Sequence, residues 1–198
     1  AGVCSRATGN VFWNGFLRPQ YRCTMQLRMN TDLPSLEIRA TPIPGCFEIR
    51  SRVFDDDRGC FVKVFHVEAF AAHGFETVYT EEYYSVSRHG VIRGLHFQTP
   101  PADHVKLVYC IAGRVQDAVV DLRVGSPSFG HHVLFDLDAR TANMIYVPKG
   151  LAHGFCVMSD AATLVYKVSA VYSARHDAGV LWSSAGIPWA VTDPVLSE

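Results

Sequence analysis

The sequence predicts an all-β domain of the sandwich or barrel class, and three observations carry that prediction. Past residue 43 the chain is a succession of short segments rich in Val, Tyr and Phe, many alternating apolar with polar. Gly, Pro, Asp and Asn separate these segments, as turn residues between strands do. Only Val67–Ala72, stopped by Gly74, reads as a helix. Many short strands at such spacing favour a closed or double-layered β architecture.

Taken in order, residues 47–52 (Phe-Glu-Ile-Arg-Ser-Arg) alternate, which predicts a strand with one buried face. Residues 60–66 are denser in apolar side chains and run into the short helix. Strands are predicted at 77–87, 91–97 and 105–112, the last two separated by Pro100 and Pro101. Gly113 reads as a tight antiparallel turn into a strand at 115–123, whose end, Asp121 to Ser128, is a polar turn. Further strands are predicted at 130–137, 143–148, 154–158 and 162–171. Residues 1–35 show neither period, which predicts a poorly ordered leader or extension, followed by one domain over 36–198. No internal repeat or low-complexity stretch is evident.

Composition narrows the function classes. The 198 residues carry a formal charge of −1 and 48% hydrophobic residues. With no basic excess, broad affinity for nucleic acid or an anionic membrane is not expected. No apolar run reaches the roughly 20 residues that span a bilayer, and a cytoplasmic protein is expected. The six Cys, at 4, 23, 46, 60, 110 and 156, lack a CxxC pair and read as free thiols without a functional role.

Chemistry concentrates in Gly90–Val108, which holds Arg93, His96 and Lys106 within fourteen residues, between strand-like segments. A base flanked by two cations suits an anionic substrate. A second half-signature, Val147 to Phe155, carries His153, 57 residues after His96. Two His-bearing strands suggest one pocket built from both.

Several motifs stand together in order: Asp57-Arg58-Gly59, the Gly90–Gln98 run, Lys106-Leu-Val, Asp121 to Gly130, Pro148 to Phe155, and Tyr166-Lys followed by Tyr172. In this the chain resembles the dTDP-4-dehydrorhamnose 3,5-epimerase family over about residues 42–196, as a divergent member. The resemblance implies a double-stranded β-helix, the cupin-like jelly roll, with short peripheral helices. It also implies a homodimer, no metal or other cofactor, and inversion of carbons beside the ketone of a nucleotide-diphosphate-linked 4-keto-6-deoxyhexose in deoxysugar biosynthesis.

Such a reaction needs a base on one face, a positive group at the developing enolate, and a proton donor on the other face. His96 is the expected base, because imidazole titrates near neutrality. Lys106 is expected at the enolate oxygen, and the resemblance makes Tyr166 the donor. Arg58 and Arg93 match arginines that hold the diphosphate, since guanidinium forks suit phosphate oxygens. His153 and Tyr172 are expected to line the sugar pocket. His104, His131, His132 and His176 are expected at the surface.

Departures from the family pattern mark this chain. Ser184 stands where the resemblance expects an acidic residue paired with the base, and Asp117 is a candidate substitute. Glu81 and Tyr83 stand where Gln and Asn are common, on the strand bordering the substrate. Lys63 replaces a common acid. Two other classes fit part of the pattern. A metal-dependent cupin would use His153 within Pro148-x-Gly-x-x-His, yet His96-Phe-Gln98 lacks that signature's first half. A non-catalytic sugar-nucleotide binder would fit the missing carboxylate. The nucleotide base and the carbon inverted stay open.

Overall fold

The computed structural model describes residues 35–197; the leader expected at 1–35 falls almost wholly outside them. Thirteen strands and one helix follow in the order β1 (Leu36–Ala40), β2 (Phe47–Ser51), β3 (Val53–Asp56), β4 (Gly59–Val62), α1 (Val67–Ala72), β5 (Glu81–Arg88), β6 (Ile92–Gln98), β7 (Lys106–Ala112), β8 (Arg114–Asp121), β9 (His132–Asp138), β10 (Asn143–Val147), β11 (Leu151–Val157), β12 (Ala161–Val168) and β13 (Asp177–Gly179). Six strands form one antiparallel sheet, ordered β1-β2-β10-β7-β12-β5; five form a second, ordered β13-β6-β11-β8-β9. The sheets face each other as a jelly roll, and β3–β4 stands apart as a two-stranded hairpin.

Alternation along the strands decides what each sheet buries. On β7, Val108 and Cys110 point between the sheets, while Leu107 and Tyr109 point to the outer face. Both sets are buried, which is why this segment reads as a continuous apolar run. Between the sheets, Val108, Ile145 and Leu164 of the first meet Val115, Val119, Leu137 and Phe155 of the second. Outside the first sheet, Ile49, Leu107 and Met144 are covered by Phe70 of α1 and by Phe75. At roughly 25 cal/mol per Å² of apolar surface removed from water, these two layers drive the fold.

The predicted helix and most strands are found within a few residues of expectation. Three strands were not expected: β1, β3 and β13. Each is short and pairs with one neighbour only, so little burial imprints a pattern on it. The strand expected at 77–87 begins at Glu81, because the N–H groups of Thr77 and Val78 donate to Glu76 Oε1 instead of to a ladder. The strand expected at 60–66 stops at Val62 before the helix, and that at 154–158 begins earlier, at Leu151. Gly113 does form the tight turn, with φ 79°; a Cβ there would meet the Ala161 carbonyl oxygen at 2.1 Å. At Asp121 the carboxylate closes the polar turn by accepting from Arg123, Ser126 and Ser128.

Candidate active site

A cavity of about 780 Å³ opens between the sheets at one end of the sandwich, where β5 and β12 face β6 and β13. Its size suits a ligand as large as a sugar nucleotide. His96, Arg93, Lys106, His153, Tyr166, Tyr172, Glu81 and Tyr83, all singled out in the sequence, line it.

Arg93 and His96 reach the same cavity only because β6 is irregular. Side chains three apart on a regular strand point to opposite faces. Here His96 pairs with His153 and Arg93 with Phe155, so three steps on β6 match two on β11. The extra residue is a β-bulge, which re-aims the side chains on either side of it. Glycine is required at its centre. Gly94 has φ 130°, and a Cβ there would sit 2.5 Å from Gly154 Cα and 2.9 Å from the His153 carbonyl oxygen. Gly154 is equally confined, 2.7 Å from the Arg93 carbonyl oxygen at its own Cβ position. The odd spacing from Arg93 to His96 thus serves one cavity only together with the bulge and its glycines.

The reactive groups come from both sheets. His96 stands on β6, while Lys106 and Tyr166 stand on β7 and β12 of the facing sheet. Lys106 is 7% exposed, and its Nζ donates to the His96 carbonyl oxygen at 3.1 Å, tying the two sheets together. Arg93 is aimed by Ser87, whose Oγ accepts from Nε at 2.9 Å. Tyr166 is almost wholly buried; its phenol lies 3.3 Å from Ser85 Oγ, and its ring is stacked on Tyr83 at 4.8 Å between centroids.

Burial and charge set the protonation states. Burial, then the Lys106 ammonium, hold the His96 imidazole below the ordinary histidine value, which keeps it unprotonated near pH 7 and free to accept a proton; Asp177 pulls the other way. Burial pushes the Lys106 ammonium down to about 8, against the pull of Asp117 and Asp177. Burial pushes the Tyr166 phenol above its ordinary value, so it stays protonated and can donate.

Several residues lie elsewhere than the sequence alone predicts. Asp117 does not serve His96. It lies on β8, two strands from β6 in the sheet, and its Oδ2 is 2.8 Å from His153 Nε2 on the intervening β11. Fully buried, its carboxyl is pushed up by desolvation and held down by His153. Ser184 does not line the cavity; its hydroxyl donates to the Leu181 carbonyl. Arg58 is not brought to the cavity either. It lies on the β3–β4 hairpin, 89% exposed, with its guanidinium on Asp56. His104, expected at the surface, lines the cavity, with Nδ1 2.9 Å from Gln98 Nε2.

Asp177 was missed by the sequence reading. It pairs with Gln98 across β13 and β6, putting its carboxylate on the face that carries His96, and it accepts from the Tyr172 phenol at 3.3 Å. A three-residue strand inside a loop gives no periodic signal. Glu81 has a structural duty, accepting the Tyr172 N–H at 2.7 Å and so anchoring the segment that leads to Asp177. Among the described residues no group of three or more His, Cys, Asp or Glu is clustered to hold a metal.

The family model described as dTDP-4-dehydrorhamnose 3,5-epimerase matches residues 40–198. A Shigella flexneri protein of the same description is 40% identical over 166 residues, covering 82% of this chain and 92% of its own length. The dTDP-4-dehydrorhamnose 3-epimerase of Streptomyces niveus is 39% identical over 165 residues, covering 82% of this chain and 80% of its own. The crystal structure of the Bacillus anthracis dTDP-4-dehydrorhamnose 3,5-epimerase with TDP and PPi bound is similar with a TM-score of 0.80 and 37% identity, covering 82% of this chain and 95% of that one.

Proposed function

The chain belongs to the dTDP-4-dehydrorhamnose 3,5-epimerase family, and on that premise we propose that it inverts a carbon beside the C4 ketone of a nucleotide-diphosphate-linked 4-keto-6-deoxyhexose, with His96 as base and Tyr166 as acid. One observation carries the assignment: His96 on one sheet faces Tyr166 and Lys106 on the other across a single cavity. A hexose lying between the sheets presents one face to the imidazole and the other to the phenol.

His96 takes the proton from the carbon next to the ketone, and the electron pair moves onto the ketone oxygen as an enolate. The Lys106 ammonium stabilises that oxygen; in a water-poor site such a group is worth several kcal/mol to the transition state, of order 3. Tyr166 then delivers its proton to the opposite face of the same carbon, which inverts it. The imidazolium and the phenolate re-equilibrate with water before the next turnover. Arg93 holds a phosphate oxygen, and Asp177 supplies the carboxylate that Ser184 cannot, favouring the imidazolium as it forms.

A homodimer accounts for Arg58. The β3–β4 hairpin carries Arg58 beyond its own cavity with Phe54 and Phe61 about half exposed. A second copy whose cavity received this hairpin would gain both an apolar cover and a guanidinium for the diphosphate. We place the protein in the cytoplasm, where nucleotide sugars are made; no helix among the described residues is long and apolar enough to cross a membrane.

The deciding assay runs the protein in deuterated water with thymidine-diphospho-4-keto-6-deoxyglucose. Deuterium is expected at C3, C5 or both, and the count gives the regiochemistry. Tight nucleotide binding without exchange at either carbon makes the protein a binder and ends the enzyme reading. For the dimer, mixing inactive Arg58→Ala and His96→Ala chains restores activity that neither has alone; no recovery on mixing rules out the shared site.

A further inference from the structure

We propose that Tyr83 is a positioning residue for the proton donor, holding the Tyr166 ring so that its phenol protonates the enolate before the base can return a proton. This rests on the reading of Tyr166 as the acid.

The geometry points to this role from three sides. Tyr83 and Tyr166 are direct cross-strand partners on β5 and β12, the closest pairing two side chains on one face of a sheet can have. Their rings stack at 4.8 Å with 17° between planes. Two residues along the same face of β5, Ser85 Oγ stands 3.3 Å from the Tyr166 oxygen. Thus one strand supplies both a wall for the ring and a partner for the hydroxyl. On the other side the His153 ring meets Tyr166 edge-on, at 6.1 Å and 72°.

Core packing does not explain the stack. Tyr166 belongs to the buried cluster between the sheets, but Tyr83 remains 42% exposed on a strand with only one neighbour. A ring left at the cavity wall while covering one face of the donor limits how far that donor can swing. Burial, with Glu81 and Asp177 nearby, also raises the Tyr83 phenol, so it brings no negative charge next to the phenolate left on Tyr166.

The consequence is a partition. Once His96 has removed a proton, the enolate carbon accepts one from either face. Protonation by Tyr166 gives inversion. Protonation by the imidazolium, after its proton has exchanged with solvent, gives deuterium incorporation with retention. A loosened Tyr166 shifts the balance toward retention.

The test measures exchange with inversion and exchange with retention separately, in deuterated water, for four proteins. In the wild type inversion dominates. Tyr83→Ala is expected to lower the inversion-to-retention ratio about tenfold, part of the 10²–10⁴ that a positioned acid supplies. Tyr83→Phe keeps the ring and is expected to keep the ratio. An unchanged ratio in Tyr83→Ala, whether accompanied by a lower Tm or by a raised KM, overturns the proposal. So does loss of the ratio in Tyr83→Phe, which would make the hydroxyl the active part. Tyr166→Phe tests the premise independently: it must exchange without inverting, and continued inversion removes Tyr166 as the acid whatever Tyr83 does.

Discussion

The two ends of the sandwich are built from the same two sheets but filled in opposite ways. At one end Cys110 and Leu164 of the first sheet meet Val115, Leu137 and Val157 of the second, all buried. At the other end the inward positions of β5 carry Glu81, Tyr83 and Ser85, and those of β6 and β13 carry His96 and Asp177. Apolar side chains at the first end hold the sheets together, and that leaves the second end free to stay open and polar. Stability and chemistry are therefore assigned to different stretches of the same strands. β12 shows this within one strand: Ala162 and Leu164 pack in the filled end, and Tyr166, two residues on, reaches the cavity.

If that division holds, variants at the two ends fail in different ways. His96→Ala should lower exchange about 10³-fold, the loss expected of a positioned base, while the Tm stays within a degree or two of the wild type; a collapse in Tm would mean that the open end also carries the fold. Leu137→Ala should do the reverse, costing about 3 kcal/mol in denaturant unfolding, as deletion from a filled core does, with kcat little changed under conditions where the variant is folded. Gly94→Ala, at the join between the two, should damage both. Its Cβ would overlap Gly154, and a displacement of about 1 Å at the base costs of order 10²-fold in rate.

The smallest expected effect is the pH profile, which sharpens the comparison without mutation. A protonated His96 cannot accept a proton, so activity falls at acid pH; with its value held below the ordinary 6.5, that limb lies below pH 6.5. Lys106 must keep its proton to stabilise the enolate, so activity falls again as pH passes about 8. The profile of kcat/KM is then a bell confined between those limbs, and Lys106→Arg should move the alkaline limb upward in whatever activity it retains. An alkaline limb unmoved by Lys106→Arg would mean that another group sets it.

Much of this division was legible in the sequence. The filled end announced itself, because strands buried on both faces read as long apolar runs, as Lys106–Ala112 does. The reactive strands were legible through motifs: His96, Lys106, His153 and Tyr166 do share a cavity. What stayed hidden depended on pairings distant in the chain or on very short elements. Asp117 was assigned to the wrong histidine because sequence cannot tell which of two nearby strands is the neighbour. Asp177 was invisible inside a three-residue strand. His104 follows two prolines and looked like a solvated loop residue, but Gln98 draws it inward. Arg58 was placed by resemblance alone, and the single chain keeps it on a hairpin away from its own cavity.

The bulge at Gly94 also fixes how this strand can change over generations. Any single-residue deletion between Arg93 and His96 would restore an even spacing, and regular pairing would then deliver both side chains to one face without strain. An insertion there, making the spacing four, would again put both on one face. The odd spacing is thus locked to a glycine pair, Gly94 with Gly154, and neither can drift unless the other strand changes as well. Two segments some sixty residues apart in the chain are in this way bound to a common fate, joined by the missing side chains of two glycines.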